Sequence, residues 1–421
     1  MMVIPNIENQ MIKYHKVQGL MKYININTLR AVHENMDILK ASGVDNVSKT
    51  KYSINLDDNL NNLLNRMKKF KYYPQRVRRA RIPKANGKVR ELGIPAYEDK
   101  LVQKIMADIL SSIYEHIFLD CSYGFRPKRN CHQALLKMAE VINSGKVNYI
   151  VETDIKRFFD NVNQEVLIRL LKMTIKDKHF IEYVRRFLKA GVMDKGIPKP
   201  SDTGTPQGGN MSPVLANVYL HYVIDQWFEN EVKKKARGQC YLIRYADDFI
   251  MLFENHEDSE EIFIETRRRL NMFGLELQSE KTRILEFNLK KPTNITFDFL
   301  GFTIYNYKSL YQKEVRLGMK IKEESIQKKY DNIKMHIEQL RYEKPKVIFR
   351  MVNSVLRGYY DYYGVNTNYE WLVSIYQYAQ REMLKLYVER YGVPLNTQGM
   401  QYLQYVASTM HLVKPQILIY L

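Results

Sequence analysis

Cysteine is rare in this chain of 421 residues, which contains only Cys121, Cys131 and Cys240. No two of them form a CxxC pair, and no HxxxH or HExxH pattern supplies zinc ligands. These absences argue against a zinc site and against a disulfide framework. We therefore expect no zinc and a reducing compartment, the cytoplasm.

Long apolar stretches are missing as well. No apolar run reaches the roughly 18 residues that a membrane-crossing helix needs. The first residues, MMVIPNIENQMIKYHK, lack the basic start and long apolar core of a secretory signal. We expect no membrane partner. A hydrophobic content of 45% over this length fits two or three globular domains instead.

Negative charge is in short supply. The 65 lysines and arginines exceed the 46 acids, which gives a net charge of +19. Such an excess is typical of proteins that bind nucleic acid, although a merely basic, soluble surface is the alternative. Residues 66–90 include eleven basic side chains and no acid, interrupted by Tyr72, Tyr73 and Pro74. Basic and aromatic residues in alternation favour phosphate contact and stacking.

The hydrophobic pattern predicts a succession of elements without repeats or low-complexity linkers. Residues 1–75 show helical spacing, and PKANGKVR predicts a hairpin with Asn86-Gly87 at its tip. A single helical stretch is predicted at 164–190. After residue 309 the pattern becomes mainly helical and rich in lysine and tyrosine.

Two adjacent aspartates interrupt the apolar segment IRYADDFIML. The surrounding CYLIRYADDFIMLFE predicts a two-stranded hairpin with Asp247 and Asp248 at its tip. A carboxylate among apolar residues needs compensation, and Mg²⁺ supplies it, because it prefers oxygen ligands. A third carboxylate is available at Asp154, where the apolar strand of VETDIKRFFD ends. By itself, a DD pair is equally typical of a solvated turn.

Further motifs accompany these in a fixed order, namely RIPKANGKVRELGIP, CSYGFRPKRN, GTPQGGNMSPVLANVYLHYVIDQWF, GLELQSEKT, FDFLGF and LRGYYDYYG. In that order the chain resembles the bacterial group II intron-encoded reverse transcriptases, also called maturases. The resemblance extends from GVDNVS to VKPQILIY. It implies an α+β, right-hand polymerase with fingers, palm and thumb, a helical N-terminal extension, and a helical thumb that also binds intron RNA.

The same resemblance implies a division of the chain. The N-terminal extension is expected at 1–75, the fingers and palm at 76–305, the thumb and maturase region at 306–391, and a short C-terminal tail at 392–421. The implied activity is RNA-directed DNA synthesis from an RNA template, a DNA primer and deoxynucleotide triphosphates, with help in splicing and mobility of a group II intron RNA.

The implied catalytic residues are Asp154, Asp247 and Asp248. Asp154 and Asp247 are expected to hold two Mg²⁺ ions, for which Mn²⁺ is a possible substitute. The Ile155 carbonyl is expected to help one ion, and Asp248 to contribute more weakly. Two such ions about 3.5–4 Å apart activate an attacking oxygen and stabilise a leaving one.

Nucleotide contacts are predicted around the basic hairpin and the TPQGG loop. Lys84 and Arg90 flank the hairpin turn and suit a triphosphate, with template backbone contact as the alternative and Lys88 equally near. The amide of Gln207 suits the incoming nucleotide, with a helix-entry turn as the alternative. The resemblance makes Phe159 a steric gate against the 2′-hydroxyl.

Nucleic-acid contacts are assigned more broadly. The residues concerned are Arg78, Tyr245, Lys281, Leu300, Gly301, Arg357 and Tyr360. Tyr245 is expected beside the primer end, and Leu300 and Gly301 in a primer grip. For Arg357 and Tyr360 the alternative to intron RNA is an aromatic seam between packed helices.

Two departures limit the family likeness. No ligands of an HNH-type nuclease occur, and the thirty or so residues after Arg390 hold one basic side chain, Lys414. We therefore expect neither second-strand cleavage nor a basic DNA-binding tail, so the primer must come from elsewhere. A splicing factor with a vestigial polymerase and a host-adopted enzyme are the rival functions. The three aspartates favour an active polymerase.

Overall fold

The computed structural model describes residues 5–83, 89–200, 203–205, 208–290, 293–309, 314–392 and 411–420. The chain divides into two compact units. The first contains Met1–Ala134 and Tyr149–Leu285, and the second contains Leu135–Asn148 and Glu286–Leu421. Both units combine helices with a β-sheet, so the predicted α+β class is confirmed.

Most elements begin in the first unit. Its helices are α1 (Pro5–Tyr14), α2 (Ile26–Glu34), α3 (Lys49–Ser53), α4 (Leu56–Lys68), α5 (Tyr97–Tyr114), α7 (Phe158–Asn161), α8 (Gln164–Thr174), α9 (Lys178–Lys189), α10 (Ser212–Leu220), α11 (Lys233–Lys235) and α12 (His256–Met272), whereas α6 (Cys131–Asn143) begins in the first unit and lies mainly in the second. Its strands are β1 (Val77–Pro83), β2 (Val89–Ile94), β3 (Tyr149–Asp154), β4 (Val192–Asp194), β5 (Ile197–Lys199), β6 (Cys240–Tyr245), β7 (Asp248–Phe253) and β8 (Arg283–Glu286).

The N-terminal region is helical, as its pattern predicts. In α4, Leu60, Leu63 and Met67 recur at helical spacing and are buried. The helical part ends at residue 68, after which residues 71–76 have no regular secondary structure. These helices share one hydrophobic core with the rest of the first unit.

A four-stranded sheet in the order β6-β7-β3-β8 carries the acidic motifs. Strand β7 lies between β6 and β3 and is antiparallel to both. Residues 249–253 of β7 are fully buried, which explains the continuous apolar run in the sequence. The hairpin predicted from CYLIRYADDFIMLFE is confirmed by the β6–β7 pair.

A second sheet of the first unit has the order β2-β1-β4-β5. Strands β1 and β2 form the hairpin predicted from PKANGKVR, with Ile82 opposite Arg90 and Pro83 opposite Val89. Residues 84–88, which include the predicted Asn86-Gly87 tip, lie outside the described residues.

Residues 164–190 form two helices, α8 and α9, where one was predicted. The cause is Asp177, which caps α9 by accepting a hydrogen bond from the Phe180 amide at 3.0 Å. Its other carboxylate oxygen accepts one from the Leu20 amide at 2.6 Å. Leu20 is 157 positions away from Asp177, so the local hydrophobic pattern could not predict this contact.

Helix α10 continues into two π-helical turns, His221–Asp225 and Phe228–Val232, before α11. Turns of this type are rare and often occur at functional sites. The first of them ends at Asp225, which is completely buried.

The second unit has a three-stranded sheet in the order β11-β10-β9 and a group of long helices. Its strands are β9 (Phe297–Phe299), β10 (Phe302–Lys308) and β11 (Val315–Ile321), and its helices are α13 (Glu323–Gln339), α14 (Pro345–Tyr363) and α15 (Tyr369–Tyr391).

Strand β11 corrects the prediction that the chain is mainly helical after residue 309. It pairs with β10 from Phe302 opposite Ile321 to Lys308 opposite Val315. A Cβ at Gly318 would lie 2.4 Å from the Tyr305 ring, so glycine lets that ring cover the strand. Pairing with the preceding strand β10 decides the strand here, whereas the helices that follow agree with their pattern.

The predicted domain boundaries near residues 75, 305 and 391 stay predictions. Among the described residues, no helix is both long and apolar enough to cross a bilayer.

Candidate active site

The aspartates of the YADD motif lie at the tip of the β6–β7 hairpin. Tyr245 pairs with Asp248, so Ala246 and Asp247 form a two-residue loop. Ala246 has a φ of 59°, in the left-handed region that tight hairpin loops use and that residues other than glycine seldom adopt. The hairpin thus presents Asp247 on its loop and Asp248 at the first position of β7.

Asp154 reaches the same place from the neighbouring strand. It is the last residue of β3 and lies directly opposite Asp248. Side chains in such a cross-strand pair point to one face of the sheet, with Cβ atoms about 4.5–5.5 Å apart. All three carboxylates are only half-buried. They therefore stay accessible, and the desolvation cost that the sequence suggested is partial.

The donor chemistry of this site suits a hard divalent cation, because its side chains offer carboxylate oxygens. Even so, within the residues that the structure describes, no three carboxylate, imidazole or thiol groups are arranged to hold one metal ion. The Lys281 ammonium lies 2.5 Å from the Asp154 carboxylate, and this hydrogen bond raises the pKa of Lys281. Lys281 therefore neutralises Asp154 in this structure.

Lys281 reaches Asp154 because the chain after α12 runs along the end of β3. The Gln278 amide donates a hydrogen bond to the Asp154 carbonyl at 2.8 Å, and Ile155 faces Leu277 in an isolated bridge. The bond observed there uses the carbonyl of Asp154 and not that of Ile155. The predicted nucleic-acid role of Lys281 and the predicted metal role of the Ile155 carbonyl stay predictions.

Helix α7 places its two phenylalanines differently. Phe158 is 1% exposed and lies in the core. Phe159 is half-buried at the edge of the core, and the two ring centroids are 5.3 Å apart. The Thr205 amide donates to the Phe159 carbonyl at 2.7 Å, which brings the GTPQGG segment beside this residue. Its role as a sugar gate stays a prediction.

The structure describes only some of the residues predicted to bind the nucleotide. Lys84 and Gln207 lie outside the described residues, and Arg90 lies on β2. Gly208 has a φ of 106°, and a Cβ there would lie 2.7 Å from the Gly93 carbonyl oxygen. The glycine therefore allows the TPQGG loop to approach the backbone of β2.

Much of the basic run is paired within the protein. Arg79 and Arg81 lie 3.7 Å and 3.0 Å from the Asp194 carboxylate of β4, and Arg66 lies 2.6 Å from Glu98. The acids come from outside residues 66–90, so the sequence of the run by itself does not show that these three arginines are paired.

The predicted nucleic-acid contact of Arg78 stays a prediction, and the structure shows a structural role for this residue. Its half-buried guanidinium donates two hydrogen bonds to the Ser42 carbonyl, at 3.0 Å and 2.8 Å. Arg78 thus attaches the ASGVDNVS segment to β1. By contrast, exposed basic residues of the same run are Lys68, Lys69, Lys71 and Arg76.

Tyr245 ends β6 and is half-buried, with its ring centroid 6.4 Å from that of Phe125. Burial raises the pKa of Tyr245, so the phenol stays protonated at neutral pH. Its predicted position beside the primer end stays a prediction.

In the second unit, Leu300 and Gly301 form the two-residue loop between β9 and β10. Their φ angles are 48° and 78°, as in the turns that suit tight hairpins. The Tyr362 hydroxyl donates to the Leu300 carbonyl at 3.0 Å, so a tyrosine of α14 holds the loop. Contact between this loop and a primer stays a prediction.

The two residues predicted to bind intron RNA have opposite environments. Arg357 is exposed on α14, whereas Tyr360 is 3% exposed and lies in the helical core. The prediction for Tyr360 is therefore corrected, because a buried ring cannot stack on a base. Core packing, the alternative for this aromatic segment, is what the structure shows at Tyr360.

Comparisons with known proteins decide the family. A family model described as "Reverse transcriptase (RNA-dependent DNA polymerase)" matches residues 82–304. Protein YkfC of Escherichia coli (strain K12) is 31% identical, over 64% of this chain and 77% of that protein.

The chain belongs to the reverse transcriptase family. This reverse transcriptase is also 31% identical to Group II intron-encoded protein LtrA of Lactococcus lactis subsp. cremoris, over 75% of this chain. The match spans 65% of the length of LtrA. The resemblance to group II intron-encoded proteins is confirmed. A solved telomerase of Candida albicans, in complex with a fragment of telomeric RNA, aligns with a TM-score of 0.47 and 12% identity over 86% of this chain and 69% of that chain.

Two residues of the reverse transcriptase site were missed by the sequence reading. Arg244 and Asp225 are fully buried and joined by hydrogen bonds of 2.7 Å and 2.5 Å. The available signal was an arginine inside the apolar strand CYLIRY, since a buried charge needs a partner. The sequence could not identify that partner.

Proposed function

We propose that this chain is a right-hand RNA-directed DNA polymerase that copies an RNA template from a DNA primer, and that it assists the splicing and mobility of a group II intron. The proposal depends on one observation, the position of Asp154 opposite Asp248 with Asp247 on the adjoining loop. Membership of the reverse transcriptase family supports it. In this proposal residues 76–305 supply the fingers and palm, and residues 306–391 the thumb.

The reaction joins the primer 3′-oxygen to the α-phosphate of a deoxynucleotide and releases pyrophosphate. Asp154, Asp247 and Asp248, with the Ile155 carbonyl, are the groups that would hold two Mg²⁺ ions. Bound there, the ions would activate the attacking oxygen and stabilise the leaving one. The protein's own part is preorganisation, because strand ends hold the carboxylates before substrate arrives. Lys281 must release Asp154 for that carboxylate to bind a metal ion.

The remaining proposed contacts select and orient the nucleotide. Lys84, Arg90 and Gln207 would contact it, and Phe159 would exclude a ribose 2′-hydroxyl. The half-buried position of Phe159 supports this role, since a gate needs a ring that is firmly packed on one side and open on the other.

The test replaces Asp247 by asparagine, which keeps the shape and removes the charge. Primer extension with Mg²⁺ on an RNA template should fall by about 10²-fold or more, while the affinity for primed RNA changes little. Independently of activity, the rise in melting temperature that Mg²⁺ produces in the wild-type protein should shrink. The control is Asp120→Asn, because Asp120 is exposed and pairs with Arg129 at the surface.

Two outcomes would contradict the proposal. Extension by Asp247→Asn at the rate of the wild type would remove the carboxylate assignment. A wild-type protein that binds intron RNA and promotes splicing but extends no primer would support the rival function, a splicing factor with a vestigial polymerase.

The second activity rests on the surface of α14. Lys346, Arg350 and Arg357 are exposed on this helix, at spacings of four and seven residues that place them along one side. In the part of the chain that the structure describes, none of the three has an ion-pair partner. This unneutralised row supports a contact with RNA phosphates.

A further inference from the structure

The guanidinium of Arg244 lies directly beneath the YADD loop and is fully buried. A guanidinium has five N–H donors, and here all five are used. Nε and Nη2 donate to the two carboxylate oxygens of Asp225 at 2.7 Å and 2.5 Å. Nη1 donates to Asn217 Oδ1 and to the Ala246 carbonyl, both at 2.9 Å. Nη2 donates to Ser122 Oγ at 2.8 Å.

These partners come from three separate parts of the first unit. Ser122 belongs to the CSYGFRP segment, Asn217 to α10, and Asp225 to the first π-helical turn. Each is buried. Several segments therefore fix the position of the guanidinium. Through its hydrogen bond to the Ala246 carbonyl, the guanidinium in turn holds the backbone of the loop.

The Ala246–Asp247 loop needs such support. Ala246 holds a left-handed φ of 59°, and for a residue other than glycine this conformation is strained and persists only when its surroundings enforce it. The hydrogen bond from Arg244 is the side-chain contact that holds the Ala246 carbonyl.

A second contact presses on the same loop. A Cβ at Gly124 would lie 2.4 Å from the Ala246 nitrogen, so the CSYGFRP segment packs against the loop backbone. The Asn217 side chain donates to the Gly124 carbonyl at 2.6 Å. Asn217 thus joins the Arg244 cluster to this segment, and the loop lies between the two.

Stability alone is a weak reason for this cluster. A buried ion pair that is replaced by apolar residues of similar volume often leaves the folding free energy unchanged or improved. An apolar replacement nevertheless leaves the Ala246 carbonyl without its donor. The cluster therefore does something that a hydrophobic filling does not.

We propose that Arg244 is a positioning residue, which fixes the Ala246–Asp247 loop and with it the carboxylates of Asp247 and Asp248. Asp225, Asn217 and Ser122 hold Arg244 in place. The inference rests on the proposed polymerase function, because the loop matters for the rate only if its carboxylates serve nucleotidyl transfer.

The test is the apolar double variant Arg244→Met with Asp225→Leu, which removes both buried charges together. We expect a melting temperature within a few degrees of the wild type, a fall in kcat of about tenfold or more, and a nucleotide KM and a primed-template Kd that change less than about threefold. The Mg²⁺ concentration for half-maximal melting-temperature shift should rise, which reports on the carboxylates without any turnover.

The matched control is Arg186→Met in the same unit. Arg186 donates to the Phe70 and Tyr72 carbonyls at 3.0 Å and 2.7 Å and contacts no part of the YADD loop. This variant should lose thermal stability and keep its kcat. A fall in kcat in this control as large as that in the double variant would show that the effect is one of folding and would overturn the positioning role.

Further outcomes separate the inference from the function on which it rests. Retention of wild-type kcat by a folded double variant would overturn the positioning role and leave the polymerase intact. Absence of extension by the wild type would overturn the proposed function instead. If the double variant does not fold, Ser122→Ala decides, since it removes one acceptor of Arg244. A lower kcat at an unchanged melting temperature supports the inference, and an unchanged kcat overturns it.

Discussion

At the scale of single residues, two side chains of the same type differ in burial and in their contacts. Phe158 fills the core, while the neighbouring Phe159 keeps part of its ring exposed beside the GTPQGG segment. Asp99 is buried, whereas Asp154 is half-exposed and forms an ion pair with Lys281. These differences determine which substitutions change chemistry and which change stability.

Phe159 is expected to set the preference for deoxynucleotides. Phe159→Val should increase ribonucleotide incorporation relative to deoxynucleotides by about tenfold or more, which corresponds to ~1.4 kcal/mol, because the bulk that clashes with a 2′-hydroxyl is gone. The measurement is the ratio of kcat/KM for the paired ribo- and deoxynucleotide. Phe158→Leu is the control, since it lowers stability and should leave the ratio unchanged. An unchanged ratio in Phe159→Val would assign that ring to the core alone.

Asp99 should make the stability of the protein depend on pH. Burial raises the pKa of Asp99 to about 7, although its carboxylate accepts hydrogen bonds from the Tyr72 hydroxyl and the Gln75 amide. Since the folded protein holds this proton more tightly than the unfolded chain, the contribution is fully present below about pH 4. It is lost as the pH rises towards 7, by up to about 4 kcal/mol.

Asp99→Asn tests this prediction, because the amide does not titrate. Its Oδ1 can accept from the Gln75 amide while its Nδ2 donates to the Tyr72 hydroxyl oxygen, and its melting temperature should fall less than that of the wild type between pH 4 and 7. If the melting temperatures of the two proteins changed equally between pH 4 and 7, the raised pKa of Asp99 would be contradicted.

At the scale of elements, the β6–β7 hairpin depends on a segment far from it in sequence. The Tyr123 amide donates to the Arg244 carbonyl at 2.8 Å, and the Arg244 amide donates to the Cys121 carbonyl at 2.8 Å. The CSYGFRP segment thus runs beside β6 and ends against the YADD loop. The hairpin and this segment should behave as one element.

Gly124→Ala tests that coupling. The added methyl group would overlap the Ala246 backbone, and relieving such an overlap costs about 1–3 kcal/mol. We expect a lower kcat for primer extension together with a lower melting temperature. Gly358→Ala is the control, because a Cβ there meets nothing within 4 Å, and it should extend primers normally. Wild-type kcat in Gly124→Ala would mean that the loop tolerates displacement.

At the scale of the whole molecule, charge is distributed unevenly. Three arginines of the basic run, Arg66, Arg79 and Arg81, are paired with acids from outside residues 66–90, whereas the row on α14 lacks ion-pair partners among the described residues. The net charge of +19 therefore does not measure the surface that is available to RNA. The paired and unpaired parts should respond differently to substitution.

The α14 row is expected to bind intron RNA. The variant Arg350→Ala with Arg357→Ala should bind that RNA more weakly, and the slope of log affinity against log salt should decrease by about 2, since two phosphate contacts are lost. Extension on a short primed template should change less. Filter binding over a salt series, beside the extension assay, measures both. Lys334→Ala is the control, because Lys334 is exposed but lies 3.8 Å from Glu338.

Equal losses of RNA affinity and of extension would mean that α14 serves only the polymerase. An unchanged salt slope would mean that the row does not contact phosphates, whatever the change in splicing.

The sequence by itself determined the acidic motif and several of the elements around it. The β6–β7 hairpin, the end of β3 at Asp154 and the N-terminal helices follow from local patterns, because apolar spacing and turn residues act over a few positions. The order of the motifs likewise determined the family.

Only the tertiary structure decided which charges meet and which rings are buried. Lys281 reaches Asp154 across 127 positions, and the side chains that surround Arg244 come from residues 122, 217 and 225. The ring of Tyr360 is buried in the core, and Arg78 donates two hydrogen bonds to the Ser42 carbonyl. The physical reason is common to all of them. Burial and ion pairing depend on segments that are distant in the chain, and no local pattern encodes which of those segments will be neighbours.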